Sequence, residues 1–355
     1  MQGSASPRIA IVGAGAIGCR IAAHFAQHGI ATTLFDGWTE HVRALQTDGL
    51  VLEGTDGREK RFDVTAYGYD APALPAFDIV LLAVRSDDTQ AALPLAQRLQ
   101  ADDGCIVSCQ NGLNEEAVAA AVGAQRTLGC SLIFGARLTG PGRVRVLSGP
   151  DELHTGEYQG GDTPRLRRIV DLFGTCGTST PTANLLGYRW MKLVLNSTGN
   201  PLLLLTGLDA RSLHANETAR RVIIAITQEI LGTARANGVE VEPVLGVPMS
   251  HWLAPGGLQA PVLHEALRAH GDTLGTRRLS MVADFESRGR TEVDHINGYV
   301  VRKAQSLGRE VPLNERVWSL VKDMEAGRRV AGVDVLQVLA PSLEEGAEVI
   351  RGGHS

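Results

Sequence analysis

The run Arg8-Ile-Ala-Ile-Val-Gly-Ala-Gly-Ala-Ile-Gly18 decides the fold. Arg8 to Val12 reads as a buried strand, because β-branched and small apolar residues follow one another without a polar break. Glycines at 13, 15 and 18 then match G-x-G-x-x-G, and a helical pattern with Ile21, Ala22 and Phe25 on its apolar face follows directly. In that setting Gly13 permits the tight turn, Gly15 lets the backbone approach a pyrophosphate, and Gly18 lets helix and strand pack closely. The helix N-terminus presents unbonded N–H groups and the positive end of its dipole to phosphates. Gly13, Ala14, Gly15, Ala16, Ile17 and Gly18 are therefore the candidate dinucleotide loop. Asp36, closing the next strand Ala31-Thr-Thr-Leu-Phe-Asp36, is placed to accept hydrogen bonds from an adenine-ribose hydroxyl. It also fits a turn role, since Asp-Gly is a common turn pair.

Working outward, Asp78 to Val84 and Gly104 to Cys109 are further near-continuous apolar strands, with helical patterns between them. That rhythm predicts an α/β N-terminal domain, doubly wound and Rossmann-type. Val51 to Thr65 reads as a hairpin insertion turning at Gly54-Thr-Asp-Gly57. Gly174 to Asn184 is rich in Gly, Thr, Ser and Pro, and strand signals then largely stop. Helices are expected over 188–206, 216–237, 259–270, 280–307 and 314–326. The division expected is a dinucleotide-binding domain over 1–184, an all-α substrate and catalytic domain over 185–340, and a disordered tail over 341–355.

Composition bounds the function. The 355 residues are 44% hydrophobic and 21% charged, which is globular and not disordered composition. A net charge of −5 gives no electrostatic support for a nucleic-acid or anionic-membrane partner. No apolar run approaches the roughly 20 residues that span a bilayer. The polar start, without an apolar signal core, points to a cytoplasmic protein. Cys19, Cys105, Cys109, Cys130 and Cys176 contain no C-x-x-C pair, and the ten histidines lack ligand spacing, so no metal site is expected. Apolar faces on the long helices are compatible with a homodimer.

The helical half carries Lys192, Asn196 and Asn200 in Tyr188-Arg-Trp-Met-Lys-Leu-Val-Leu-Asn-Ser-Thr-Gly-Asn-Pro201. Spacings of four place them on one helical face, stepping about 40° each. A lysine desolvated there becomes a proton donor near neutrality, and the amides supply oriented donors for a carboxylate or hydroxyl. The same residues also fit a solvated stripe with Asn200 capping before Pro201. Further on, Ser280 and Glu292 lie three turns or more apart if one helix carries both. Arg288-Gly-Arg-Thr291 can interrupt that helix, with Thr291 as N-cap of a second one.

Taken together, these blocks resemble the ketopantoate reductase (2-dehydropantoate 2-reductase) family of the 6-phosphogluconate-dehydrogenase-like group. The matching residues are the Gly13 loop, Gln110-Asn-Gly112, Lys192-xxx-Asn196-xxx-Asn-Pro201, Ser280-Met281, Arg290-Thr-Glu-Val-Asp294 and Asn297-Gly298, in family order over nearly the whole chain. The resemblance implies hydride transfer from a nicotinamide to a 2-oxo acid, with Lys192 as general acid. It implies Glu292 at the substrate–cofactor junction, and Asn196, Asn200 and Ser280 as substrate ligands. It further implies that Asn111 touches both cofactor and substrate, and that Ala136 lines the cofactor site.

Three departures from the family pattern stand out. Arg85 occupies the usual lysine position after the third parallel strand, keeping the cofactor contact in kind. Asp36 stands where NADP-dependent members carry a cation, favouring NAD(H) over NADP(H). Ala210 replaces an asparagine of some members, and Val241 to Gly275 is longer than the family pattern. Ketopantoate is the default substrate. The alternatives are another branched 2-oxo acid, reduced to a D-2-hydroxy acid, and a catalytically silent dinucleotide sensor.

Overall fold

Two strand periods explain the first half of the molecule. In β1 (Ile9–Val12), Ile9 and Ile11 enter one core while Ala10 and Val12 enter another on the opposite face of the sheet. The same alternation splits β6 (Phe77–Leu82), where Ile79 and Leu81 face the first core and Val80 and Leu82 the second. A sheet covered on both faces needs such two-sided apolar strands. The computed structural model describes residues 6–133, 135–147, 151–277 and 279–340, and the expected tail over 341–355 lies outside them. Contacts divide the chain into two units, one ending at Leu185 and the other beginning at Leu186.

The first unit continues with α1 (Ala16–Gln27), β2 (Thr32–Phe35), α2 (Thr39–Thr47), β3 (Leu50–Glu53), β4 (Glu59–Phe62) and β5 (Thr65–Tyr67). After β6 come α3 (Thr89–Leu99), β7 (Gln100–Ser108), α4 (Glu115–Val122), β8 (Thr127–Ile133), β9 (Ala136–Gly140) and β10 (Arg143–Val146). It closes with β11 (Glu152–Glu157), α5 (Pro164–Phe173) and β12 (Thr178–Pro181). The main sheet runs β12-β11-β8-β7-β6-β1-β2-β5, with β1, β2, β6 and β7 mutually parallel as expected and β8 added parallel to β7.

Two features of this unit go beyond the sequence pattern. The hairpin over 51–65 forms with its turn, Gly57 donating to Gly54 O, but it is half of a second sheet, β4-β3-β10-β9. This sheet packs on α1, which also contacts β2 of the main sheet. Burial of every α1 residue from Gly18 to Ala23 follows, because both sides of the helix are covered. Within the Gly-, Thr-, Ser- and Pro-rich stretch over 174–184, Thr178–Pro181 pairs with β11 as an edge strand, where a terminal proline is tolerated.

The second unit is helical: α6 (Leu185–Thr206), α7 (Ala210–Ala215), α8 (Glu217–Ala236), α9 (Met249–Trp252), α10 (Pro261–Leu274), α11 (Ser280–Arg288), α12 (Asn297–Ser306), α13 (Pro312–Glu325) and α14 (Val335–Leu339). Asn216 caps α8 by accepting from the Ala219 N–H, so that helix starts where its sequence signal sits. The single helix expected over 280–307 is broken. Gly289 ends α11 in the left-handed conformation, a 3-10 turn covers Val293–His295, and α12 begins afresh at Asn297.

Candidate active site

The carboxyl ends of β1, β2, β6 and β7 lie on one edge of the parallel sheet, where open α/β folds bind ligands. The glycine loop leaves β1 and is held from both sides. Gly13 and Ala14 donate to Phe35 O, and Ala83 donates to Val12 O. Gly13 has φ +98°, and a Cβ there would stand 2.5 Å from Val84 N. A Cβ on Gly18 would collide with Gly13 O, whereas one on Gly15 would meet nothing within 4 Å. Space is thus closed around Gly13 and Gly18 and open over Gly15, the N-cap of α1, whose first turn no side chain caps. Residues Gly15, Ala16 and Ile17 stay partly accessible. That arrangement fits a dinucleotide pyrophosphate.

Asp36 follows β2 directly. Its Oδ1 accepts from the Trp38 N–H at 2.8 Å, so the turn role is realised on one oxygen while Oδ2 remains for other partners. Arg85 and Asn111 sit on the loops after β6 and β7. Those loops are locked together through Asn111 O, which accepts from Ser86 Oγ at 3.0 Å and from Asn114 Nδ2 at 2.6 Å. Buried Gln110 donates to Thr89 Oγ1 at 2.7 Å and to Val84 O at 3.1 Å. Ala136 opens β9 in the second sheet, half-buried on the core shared with α1, and not at a main-sheet strand end.

One residue of this region escaped the sequence reading. His41 of α2 is fully buried, with Nε2 2.8 Å from Ala14 O and Nδ1 accepting from the Gly142 N–H at 3.0 Å. Burial lowers its pKa from the ordinary histidine value, and because Nδ1 accepts from the Gly142 N–H, the ring proton sits on Nε2 and is donated to Ala14 O. Trp38 stacks on its ring at 5.4 Å. An isolated histidine in a polar helix carries no sequence signal for this.

In the second unit, Lys192, Asn196 and Asn200 do share one face of α6. Lys192 and Asn196 are half-buried and Asn200 is 3% exposed, which removes the solvated-stripe reading. Asn200 is no cap, since Pro201 lies inside the helix. Asn200 Nδ2 donates to Asn196 Oδ1 at 3.3 Å, and Asn200 Oδ1 is buried with no donor among the described residues. The pair therefore offers the amide hydrogens of Asn196 and one unfilled acceptor, which suits a hydroxy- or oxo-acid.

Pro201 has no N–H for Ser197 O, four residues back. Asn297 Nδ2 supplies that bond from the start of α12, at 3.0 Å. Asn297 Nδ2 also donates to Asn314 Oδ1, and Asn314 Nδ2 to Glu229 Oε2. The Asn-Pro and Asn-Gly blocks, about a hundred residues apart, thus complete one helix. Gly199 falls about 20° from Lys192 around α6, and a Cβ on it would stand 3.4 Å from Leu279 Cδ1. That contact brings exposed Ser280, next in chain, to the same side of the helix.

Glu292 lies in the break between α11 and α12, buried and anchored through its neighbours. Thr291 donates from both N and Oγ1 to Glu325 Oε1 at 2.7 Å. Asp294 accepts from Trp318 Nε1 at 2.6 Å and Lys322 Nζ at 2.8 Å. Burial would raise the Asp294 pKa, but these bonds outweigh it and hold it below the ordinary value. Thr291 Oγ1 accepts from the Val293 N–H, so the threonine does shape this turn, although α12 itself starts at Asn297. Trp318, Lys322 and Glu325 gave no sign of this role in the sequence.

Comparison with known proteins agrees with this layout. Residues 9–160 match the family model described as ketopantoate reductase PanE/ApbA, and residues 184–325 match its C-terminal counterpart. A 2-dehydropantoate 2-reductase of Pyrococcus horikoshii is 27% identical, covering 90% of this chain and 98% of its own. That of Halobacterium salinarum is 28% identical, covering 89% and 98%. Among solved structures, a PanE/ApbA family ketopantoate reductase from Ralstonia eutropha is 28% identical with a TM-score of 0.75, covering 90% of this chain and 99% of its own. D-mandelate dehydrogenase with NADH and anilino(oxo)acetate shares the fold at a TM-score of 0.79 and 23% identity, covering 91% and 99%. Glycine loop, asparagine-flanked lysine and anchored glutamate stand inside the two matched spans, and the chain belongs to the ketopantoate reductase PanE/ApbA family.

Proposed function

We propose that the chain reduces a 2-oxo acid, 2-dehydropantoate by default, with Lys192 as general acid and Glu292 as the second catalytic group. The observation that carries this reading is the Lys192-Asn196-Asn200 face, where a half-buried ammonium shares one side of the helix with an unfilled amide acceptor. A nicotinamide, when bound, supplies the hydride. Lys192 protonates the carbonyl oxygen as it becomes an alkoxide, and its charge favours that alkoxide over the neutral ketone. Asn196, Asn200 and Ser280 orient the acid, and Asn111 joins them from the cofactor side. The glycine loop, Arg85 and Ala136 hold the dinucleotide, and Asp36 Oδ2 accepts from its ribose. A carboxylate at Asp36 repels a 2′-phosphate, so NAD(H) is the cofactor of choice.

One departure from the family pattern leaves a second substrate open. Ala210, where some members carry asparagine, is fully buried at the start of α7 and presents no polar group. The alternative substrate is another branched 2-oxo acid, reduced to a D-2-hydroxy acid. A silent sensor has no use for Lys192 and Glu292 together. The cytoplasmic, homodimeric state expected above belongs to this proposal, and light scattering tests the dimer. The deciding measurement is kcat/KM for a panel of 2-oxo acids with NADH and with NADPH. Turnover of none of them defeats the reading. A strong NADPH preference defeats the Asp36 role alone, and if that role holds, Asp36→Ala narrows the gap about tenfold.

A further inference from the structure

Val241 to Gly275, longer than the family pattern, forms part of a cavity of about 630 Å³ within the second unit. Arg220 and Arg221 of α8 line one wall, and Leu258, His264 and Arg268 another. The volume lies in the range of small-molecule sites. Arg220 is 2% exposed and rigidly held: Nε donates to His264 Nδ1 at 3.1 Å, and Nη1 to His214 O and Ala215 O. Its Nη2 has no acceptor among the described residues. Arg221 Nε is also buried without a partner. Neither arginine, nor Arg268, makes an ion pair with a described residue, although Glu217 and Glu265 line the same cavity. The charges on Arg220 and Arg268 act against each other, and with burial this lowers the Arg220 pKa, Glu217 opposing it.

Guanidinium groups gathered without carboxylate partners, one of them buried, are the arrangement that recognises oxyanions. We propose that this cavity binds a small polyanion carrying phosphate or carboxylate groups, as a site separate from the residues of the candidate active site. Arg220 is the preorganised centre, and Arg221 and Arg268 add charge from opposite walls.

Isothermal titration of cofactor-saturated protein tests this, because saturation removes the glycine loop as a competing phosphate site. Pyrophosphate and citrate are the probes, at fixed ionic strength. Arg220→Ala endangers the end of α7, so Arg221→Ala and Arg268→Ala are the informative variants. The expected result is binding of at least one probe by the wild type, weakened about tenfold in each variant, with kcat/KM in the probe's absence unchanged. The tighter probe identifies phosphate or carboxylate as the preferred group. Binding that is absent, or equal in wild type and variants, overturns the proposal. So does finding that the cavity is closed by a second copy, seen as a shift in sedimentation for Arg268→Ala without polyanion binding.

Discussion

At the glycine loop the decisive atoms belong to the main chain, whereas around Lys192 they belong to side chains from helices far apart in sequence. Gly13, Gly15 and Gly18 act by what they lack, and their partners are carbonyls and amides a strand away. Asn196 and Asn200 act by what they carry. Their helix is completed by Asn297, and the Glu292 turn is fixed by Glu325, Trp318 and Lys322. A backbone site fails when volume is added. A side-chain site fails when a functional group is removed.

The sharpest separation comes from Lys192→Ala, which should cut turnover by ~10²–10⁴-fold. Cofactor affinity, measured by titration, should stay close to wild type. Equal loss of both would erase the contrast.

Within the loop, Gly18→Ala and Gly15→Ala should part company. Alanine at 18 collides with Gly13 O and should cost about 1–3 kcal/mol of stability in urea melts, with loss of cofactor binding. Alanine at 15 meets no atom within 4 Å, and the backbone there (φ −69°) accepts it. Stability should change by less than about 0.5 kcal/mol while cofactor affinity falls. A stable Gly15→Ala protein with unchanged affinity would remove the loop from the cofactor site.

Asn297→Ala leaves the Ser197 carbonyl without a donor, at a cost of about 1–3 kcal/mol. Because that carbonyl lies between Lys192 and Pro201, kcat should drop while the KM for cofactor holds. Asn297→Gln, which keeps the donor, should recover part of the loss.

A separate test concerns pH. Burial pushes the Glu229 carboxyl up to about 7, although bonds from Leu313 N, Asn314 N and Asn314 Nδ2 pull it down. A carboxyl with a raised folded pKa binds more protons folded than unfolded. Its contribution is therefore full below the unfolded pKa near 4.5 and is lost as pH rises to about 7. Urea midpoints should fall across that window, and Glu229→Gln should flatten the slope.

How much could be read in advance follows the same division. The near-continuous apolar runs of β1 and β6 and the glycine spacing are local patterns, and they led directly to the doubly wound sheet. The β3–β4 hairpin was local too, but its partners β9 and β10 lie some ninety residues on, so the second sheet left no trace. Lys192, Asn196 and Asn200 announce a face by spacing alone. The helix expected over 188–206 does run through Pro201, and the Asn297 donor, invisible in the local pattern, explains how. The Glu292 turn showed in Gly289, while its anchors on α13 are ordinary helix residues distinguished only by position.

Trp38, His41 and Ala14 form a lever between two parts of the cofactor region usually altered separately. Trp38 follows Asp36 by two residues and stacks on the ring whose Nε2–H grips the Ala14 carbonyl. An engineer who replaces the 36–38 segment to exchange one nicotinamide cofactor for the other would also loosen the histidine that steadies the glycine loop. Recasting selectivity here would weaken grip on both cofactors at once, and compensating changes belong near Gly142, where the other nitrogen of the same ring is held.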